Sequence, residues 1–293
     1  MMIFNRDKAE YLIFSIISKA VILIGFKRVK YPARALAFLF FNVIPIRKKV
    51  VIENLHKAFP EKSDKEILSI AKKNYLSFAI TFLEIMAMPG LTEKNVLDYA
   101  ESDSLDILKE AADKGKGVFM LTAHFGNWEY AGTWIGVKMH RSILGLAKKQ
   151  RNPYVNDWLT MMRGKFGNRE LRPGAGLRAL ISAARKGEII GTVGDQRGSK
   201  EGPRVKFFGH DTACYTGTAA LSVKLGTPIV LSFYIRRADG TYNLTFEKFE
   251  CNEDDEFFDN PEICLTQKYF KRLEEVIRKH PEQWLWMHNI WKY

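Results

Sequence analysis

The feature that most restricts how this chain can fold is a series of short apolar runs, bounded by glycine or polar residues, that alternate with helix-like patterns. Val118-Phe-Met-Leu-Thr122 lies between Gly115-Lys-Gly117 and a histidine. Similar runs recur at residues 143–147, 189–193 and 229–235, with 242–247 close behind the last. An apolar run of about five residues closed by glycine suits a strand covered on both faces. Helical patterns fall between these runs, at 128–138, 153–166, 176–185, 214–225 and 262–279. The alternation predicts an α/β fold: a mainly parallel or mixed central sheet flanked by helices, with an N-terminal hydrophobic helical segment suited to membrane association. In such sheets the chemistry gathers at the carboxyl ends of the strands. Upstream, Ser63-Asp-Lys-Glu66 reads as a capping box that opens a helix running to about Met88, where Pro89-Gly90 stops it. Residues 103–114 read as a further helix closed by Gly115.

A chain of 293 residues can bury a large core, and this one has no Pro/Gly/Ser-rich linker, internal repeat or low-complexity tract. The organisation expected is a hydrophobic segment over residues 1–50, serving as membrane anchor or interfacial helices, and one α/β domain over 51–293. Residues 11–26 are nearly apolar, broken by Lys19 and followed by Lys27-Arg28-Val-Lys30; a second greasy run, 35–46, precedes Arg47-Lys48-Lys49. Neither reaches the roughly 18–20 uncharged residues of a clean membrane-spanning helix. Asp7 and Glu10 dilute the positive start, and no small-x-small cleavage site follows, so the segment does not read as a cleavable signal peptide. Two readings stay open: an imperfect single anchor, or helices lying in the interface with their cations against anionic headgroups. The cationic clusters place the main domain on the cytosolic side.

Lysine and arginine number 45 against 33 acidic residues, a formal charge of +12. That excess calls for an anionic partner: nucleic acid, a phospholipid surface, or an acidic protein or substrate. No nucleic-acid-binding module is recognisable, and the greasy N-terminus argues against that class. Three cysteines, Cys214, Cys251 and Cys264, form no Cys-x-x-Cys pair. Their odd number and spacing argue against a disulfide framework or a zinc site, and for small buried residues in a reducing compartment.

The run 118–122 delivers His124-Phe-Gly-Asn-Trp-Glu129, a histidine at a strand end with a carboxylate five residues on. His56 and Glu61 share that interval, but Pro60 and an amphipathic setting mark them as an ordinary surface pair. Asn127 suits the N-cap of the helix beginning near Trp128 and is a candidate substrate contact. The positive potential of that helix start disfavours a protonated His124 and keeps it available as a base. Glu129, in the first helical turn, could reach back to one imidazole nitrogen and fix its tautomer. No Gly-x-Ser-x-Gly elbow occurs and no cysteine is close in sequence, so His124 is expected to act directly on a substrate hydroxyl. An esterase that transfers the same group to water would use the same base.

Apolar strand, His124-Phe-Gly-Asn-Trp-Glu129 and a basic Asn-Pro segment together resemble the His-x4-Asp/Glu signature of glycerolipid and lysophospholipid acyltransferases. More narrowly, the chain resembles the bacterial lipid A biosynthesis acyltransferases, which add secondary acyl chains to a lipid A precursor. The resemblance extends through Glu53-Asn-Leu-His-Lys-Ala-Phe-Pro60, Asn152-Pro153 to Trp158, Arg163-x-x-Phe166-Gly167, Asp195-Gln196-Arg197-Gly198 and Phe207-Phe208-Gly209. It ends at Pro281-Glu-Gln-Trp-Leu-Trp-Met-His288. Segments in this order make it specific.

The resemblance implies an acyltransferase domain over 51–293, with His124 as general base and Glu129 as its orienting carboxylate. The acyl donor would be the thioester of acyl carrier protein, and the acceptor a hydroxyl of an anionic glycolipid, the lipid A precursor. An alternative is another glycolipid or a lysophospholipid, acylated from acyl-CoA. Arg163 would contact phosphate or the oxyanion; Asp195, Gln196 and Arg197 lie at a strand end beside the site, Asp195 either orienting the surroundings of His124 or binding a sugar hydroxyl. Lys148 and Arg151, with Lys149, and Arg204 with Lys206 would bind phosphates or the acidic face of the carrier protein. The family commonly has arginine near the position of Lys148. Thr212, Thr216 and Thr218 fall where the family carries a threonine-rich helix start. The implied location is the inner membrane with the catalytic domain on its cytoplasmic side. No metal and no tightly bound cofactor is called for, acyl carrier protein or coenzyme A being a co-substrate carrier, and nucleic acid is not an expected partner.

Overall fold

A computed structural model of the chain describes residues 5–171 and 177–293. Its centre is a seven-stranded sheet built from β1 (Ala100–Glu101), β2 (Val118–Thr122), β3 (Ile143–Leu146), β4 (Arg169–Leu171), β5 (Ile189–Val193), β8 (Ile229–Arg236) and β9 (Tyr242–Phe249). A separate two-stranded hairpin joins β6 (Arg204–Phe207) to β7 (His210–Ala213). The sheet order is β1-β9-β8-β2-β5-β3-β4. All pairings in it are parallel except β8 with β9, so the sheet is mixed, as expected. All five residues of β2 are buried, which is why this central strand reads as an unbroken apolar run. By contrast β9 alternates between buried and partly exposed residues, because one face of this outer strand is less covered.

Local signals explain the helices. Ser63 caps Asp64–Ala87 through the Glu66 amide, and the Glu66 side chain returns the bond, completing the capping box. Asn127 caps Trp128–Met139, and Asn152 caps Pro153–Gly164 with proline at the first helical position. The expected helix at 176–185 is present as Leu177–Arg185, with its start at Gly176 lying outside the described residues. The short β1 and β4 and the β6–β7 hairpin are additions that the sequence patterns did not predict; each has at most four residues, too few to show a period.

Two helices open the chain, Arg6–Ile24 and, after a break, Lys30–Phe38 continuing into a wider π turn over Leu39–Val43. No single helix among the described residues is long and apolar enough to cross a membrane. Arg6–Ile24 and Phe26–Val43 have that length and composition together, but the chain bends by 100° between them. One face of the pair enters the common core through Val21, Phe26, Val29, Ala33 and Phe41. The other leaves Leu12, Ile13, Ile16, Leu23, Phe38 and Ile44 exposed.

The cysteines correct an expectation: Cys251 and Cys264 form a disulfide, with Cα atoms 6.4 Å apart. Cys251 follows β9 and Cys264 lies early in the final helix, Pro261–Lys279, so the intervening loop folds back and brings the two together. Cys214 is the buried free thiol, and burial pushes it up to about 11. At that value it stays protonated and unreactive near neutral pH.

Candidate active site

The site follows from strand register. Thr122 of β2 pairs with Val193 of β5, and the Gly194 amide donates to the Thr122 carbonyl at 2.9 Å, carrying the alignment past the last paired residues. His124 and Asp195 each lie two residues beyond their strand ends and therefore meet side by side. The His124 backbone N–H donates to Asp195 Oδ2 at 2.8 Å, and its ring Nδ1 lies 2.7 Å from Oδ1. Asp195 is 2% exposed. A carboxylate on Nδ1 fixes the proton there and leaves Nε2 as the basic nitrogen. The His124 side chain is 17% exposed, so solvent-side access survives, and the Trp128 ring stands edge-on to the imidazole with centroids 4.9 Å apart.

The partner of the imidazole is thus Asp195, 71 residues downstream, and not Glu129 as the spacing suggested. Glu129 is instead gripped by both prongs of Arg163, Nε to Oε2 at 2.9 Å and Nη2 to Oε1. Arg163 also donates through Nη1 to Glu170 of β4 at 2.9 Å. Its charge is therefore answered by two protein carboxylates, where a phosphate or oxyanion contact was the expectation. Burial opposes the Arg163 charge, and the bonds to Glu129 and Glu170 outweigh it, raising its proton affinity.

The protonation balance of His124 also differs from the sequence reading. Burial lowers its proton affinity, but Asp195, by charge and hydrogen bond, and Glu129, by charge, outweigh burial and raise it above the ordinary 6.5. Asp195 moves the opposite way: burial works against its charge, and His124 together with the Trp284 indole holds the carboxylate below its ordinary range. Two negative charges near the ring set this direction, which is opposite to the one expected from the helix start alone.

The loop between strand and helix is held from both sides. Gly126 has φ +59°, and a Cβ there would fall 2.0 Å from the Tyr234 carbonyl oxygen, so only glycine fits. Its carbonyl accepts from Thr81 Oγ1 at 2.9 Å, and its amide donates to Gln283 O at 3.1 Å. Asn127 is fully buried: Oδ1 accepts from the Tyr130 amide at 3.0 Å and Nδ2 donates to Glu84 at 3.1 Å. It caps the helix as expected, but with both ends of its amide occupied and no exposure it is not a substrate contact. Glu84 belongs to a buried network in which Arg236 donates to Glu84 at 3.2 Å, to Thr81 at 2.6 Å and to Tyr242 at 2.7 Å. Glu84, Arg236 and Trp284 are not legible as site residues in the sequence, because nothing in their neighbours indicates that they converge.

The remaining expected site residues divide. Arg151 pairs with Asp7 at 3.3 Å and with Glu10, so it clasps the first helix. Arg197 binds the chain end: its backbone N–H donates to His288 Nε2 at 3.0 Å, its guanidinium donates to the Asn289 carbonyl and lies 4.9 Å from the centroid of the Tyr293 ring. Lys148, beyond the end of β3, and Gln196, next to Asp195, are exposed and remain open to a ligand. Among the threonines, Thr212 is buried and accepts from the Trp291 indole at 2.9 Å.

With this geometry in place, comparison with known proteins puts the chain among the acyltransferases. The family model for bacterial lipid A biosynthesis acyltransferases matches residues 6–293, nearly the whole sequence, and the chain belongs to that family. It is similar to a lipid A biosynthesis lauroyltransferase of Escherichia coli K12, 25% identical over 252 residues that cover 84% of this chain and 79% of the relative. A palmitoleoyltransferase of lipid A biosynthesis from the same organism is 24% identical over 248 residues, with the same coverage of 84% and 79%. A phosphatidylinositol mannoside acyltransferase of Mycobacterium tuberculosis (strain CDC 1551 / Oshkosh) is 22% identical over 221 residues, covering 73% of this chain and 68% of its own.

Proposed function

We propose that this acyltransferase moves a fatty acyl chain from the thioester of acyl carrier protein to a hydroxyl of a lipid A precursor, with His124 as the base and Asp195 as its orienting carboxylate. The observation that carries the reading is the bond from His124 Nδ1 to buried Asp195, which leaves Nε2 to take a proton. Nε2 removes the proton of the acceptor hydroxyl while its oxygen attacks the thioester carbonyl. The resulting tetrahedral oxyanion collapses, the carbon–sulfur bond breaks, and the departing thiolate recovers the proton from His124. Asp195 stabilises the imidazolium between the two steps. Glu129 adds negative charge that favours the same imidazolium, and Arg163 holds that carboxylate in place.

The exposed apolar face of Arg6–Ile24 and Lys30–Val43, bordered by exposed Lys19, Lys27, Arg28 and Arg34, supports a place on the inner membrane with the catalytic domain in the cytoplasm. Exposed Lys148, Lys149 and Arg204 supply positive charge for the carrier protein or for acceptor phosphates. The second reading keeps the chemistry and changes the acceptor to another glycolipid or a lysophospholipid, with acyl-CoA as donor; the similarity to a phosphatidylinositol mannoside acyltransferase favours keeping it in view. Purified enzyme offered each acceptor with each donor decides between them. Transfer to the lipid A precursor from acyl carrier protein, abolished by His124→Ala, is expected; transfer to the other acceptors alone would establish the second reading.

A further inference from the structure

The C-terminal segment contributes a group to the site that the reaction scheme above does not use. Phe125 and Trp284 form an antiparallel bridge, closed by Gly126 N–H to Gln283 O at 3.1 Å and Leu285 N–H to His124 O at 3.2 Å. This pairing brings the fully buried Trp284 indole against Asp195, where Nε1 donates to Oδ2 at 2.8 Å. The neighbouring indole of Trp286 shows the ordinary solution for a buried N–H, donating to the Pro281 carbonyl at 2.6 Å. Trp284 instead gives its single polar atom to the carboxylate beneath the base.

We propose that Trp284 is a positioning residue that tunes the basicity of His124 through Asp195. The inference rests on Asp195 acting as the carboxylate of the pair. Oδ2 accepts from the His124 backbone and from Trp284, and these two donors turn the carboxylate so that Oδ1 faces Nδ1. An indole N–H donates and never accepts, so it binds only the ionised carboxylate well and draws negative charge toward Oδ2. That weakens the pull of Oδ1 on the imidazolium. Asp195 and Glu129 make His124 more basic, and Trp284 limits the increase, leaving more of the base unprotonated near neutral pH.

The test is replacement of Trp284 by 3-benzothienylalanine, which keeps the shape of the indole and puts sulfur in place of N–H. The midpoint of the acidic limb of kcat/KM should move to higher pH by about half a unit. The rate near neutral pH should fall with KM for donor and acceptor little changed. A folded variant with the wild-type midpoint would overturn the proposal. A second measurement needs no variant to be active: in wild-type protein labelled with 15N at its six tryptophans, the indole resonance that Trp284→Phe removes should titrate with the midpoint of that limb. If that resonance does not follow the midpoint, Trp284 does not sense the pair. Asp195→Asn separates the two layers. Full activity in Asp195→Asn would remove the reading on which the proposal rests, whereas an inactive Asp195→Asn beside an unshifted benzothienyl variant would remove the role of Trp284 alone.

Discussion

Glu129 and Arg163 form a two-pronged ion pair, with Nε 2.9 Å from Oε2, in which the side chains are 15% and 20% exposed. The carboxylate of the His-x4-Glu segment is thereby engaged by an arginine and makes no hydrogen bond to the histidine five residues before it among the described residues. Glu129 therefore acts on His124 through its field, while Asp195 acts by contact. The two carboxylates should be distinguishable by their effects on rate and on pH dependence.

His124→Ala and Asp195→Asn should each lower kcat by about 10²–10⁴-fold, the first by removing the base and the second by releasing its tautomer. Initial rates of acyl transfer, with circular dichroism to confirm folding, check this. Rates within a few-fold of wild type for either variant would refute the assignment.

The sign of the pH dependence follows from the balance at His124. Two carboxylates raise its proton affinity above 6.5 despite burial, and in the proposed mechanism His124 works unprotonated. Activity should rise with pH through a midpoint above 6.5. Glu129→Gln removes one of the negative charges and should move the midpoint of kcat/KM to lower pH. A shift upward would show that Glu129 does not act by its charge.

Glu84 and Arg236 are 4% and 8% exposed in their side chains, and each satisfies the other within the network behind Gly126. Glu84→Gln leaves a buried guanidinium without its counter-charge and should cost about 3–5 kcal/mol of stability. Denaturant unfolding in detergent measures this. The double variant Glu84→Leu/Arg236→Met should lose less than the single one, because no lone charge remains.

Leu12, Ile13 and Ile16 are exposed on the first helix. Replacing all three by aspartate removes apolar area and adds charge where the membrane would be. Binding to vesicles of phosphatidylethanolamine and phosphatidylglycerol should weaken by about tenfold or more. Activity on detergent-dispersed substrate should change much less, and unchanged vesicle binding would place the contact elsewhere.

Arg151 is 66% exposed where it meets Asp7 and Glu10. Arg151→Ala should change stability by only about 0–1 kcal/mol, since water and salt screen such pairs. A large fall in acceptor affinity would instead restore it as a phosphate contact.

Much of the fold was legible because its signals are local. The apolar runs at 118–122 and 189–193 match their strands, and the capping box at Ser63 opens its helix. Asn127 is legible as a cap, since an N-cap bond spans three residues. The disulfide between Cys251 and Cys264 was not legible, because a spacing of 13 residues gives no sign that the loop between them folds back. Nor were the partners of Arg151 and Arg163, which are basic residues of ordinary appearance until opposing carboxylates are folded against them.

The sequence by itself determined the α/β alternation, the placement of His124 at a strand end, the greasy cationic N-terminus and the family. These depend on hydropathy, capping and motif order, all readable within a few residues of one another. Tertiary structure decided which carboxylate meets His124. The β2–β5 register brings Asp195 to His124 across 71 residues, Arg163 draws Glu129 aside, and the C-terminal chain returns with Trp284 to hold Asp195. Each of these is a long-range pairing of buried or part-buried polar groups, whose partner depends on what the fold places within hydrogen-bond distance and not on spacing along the chain.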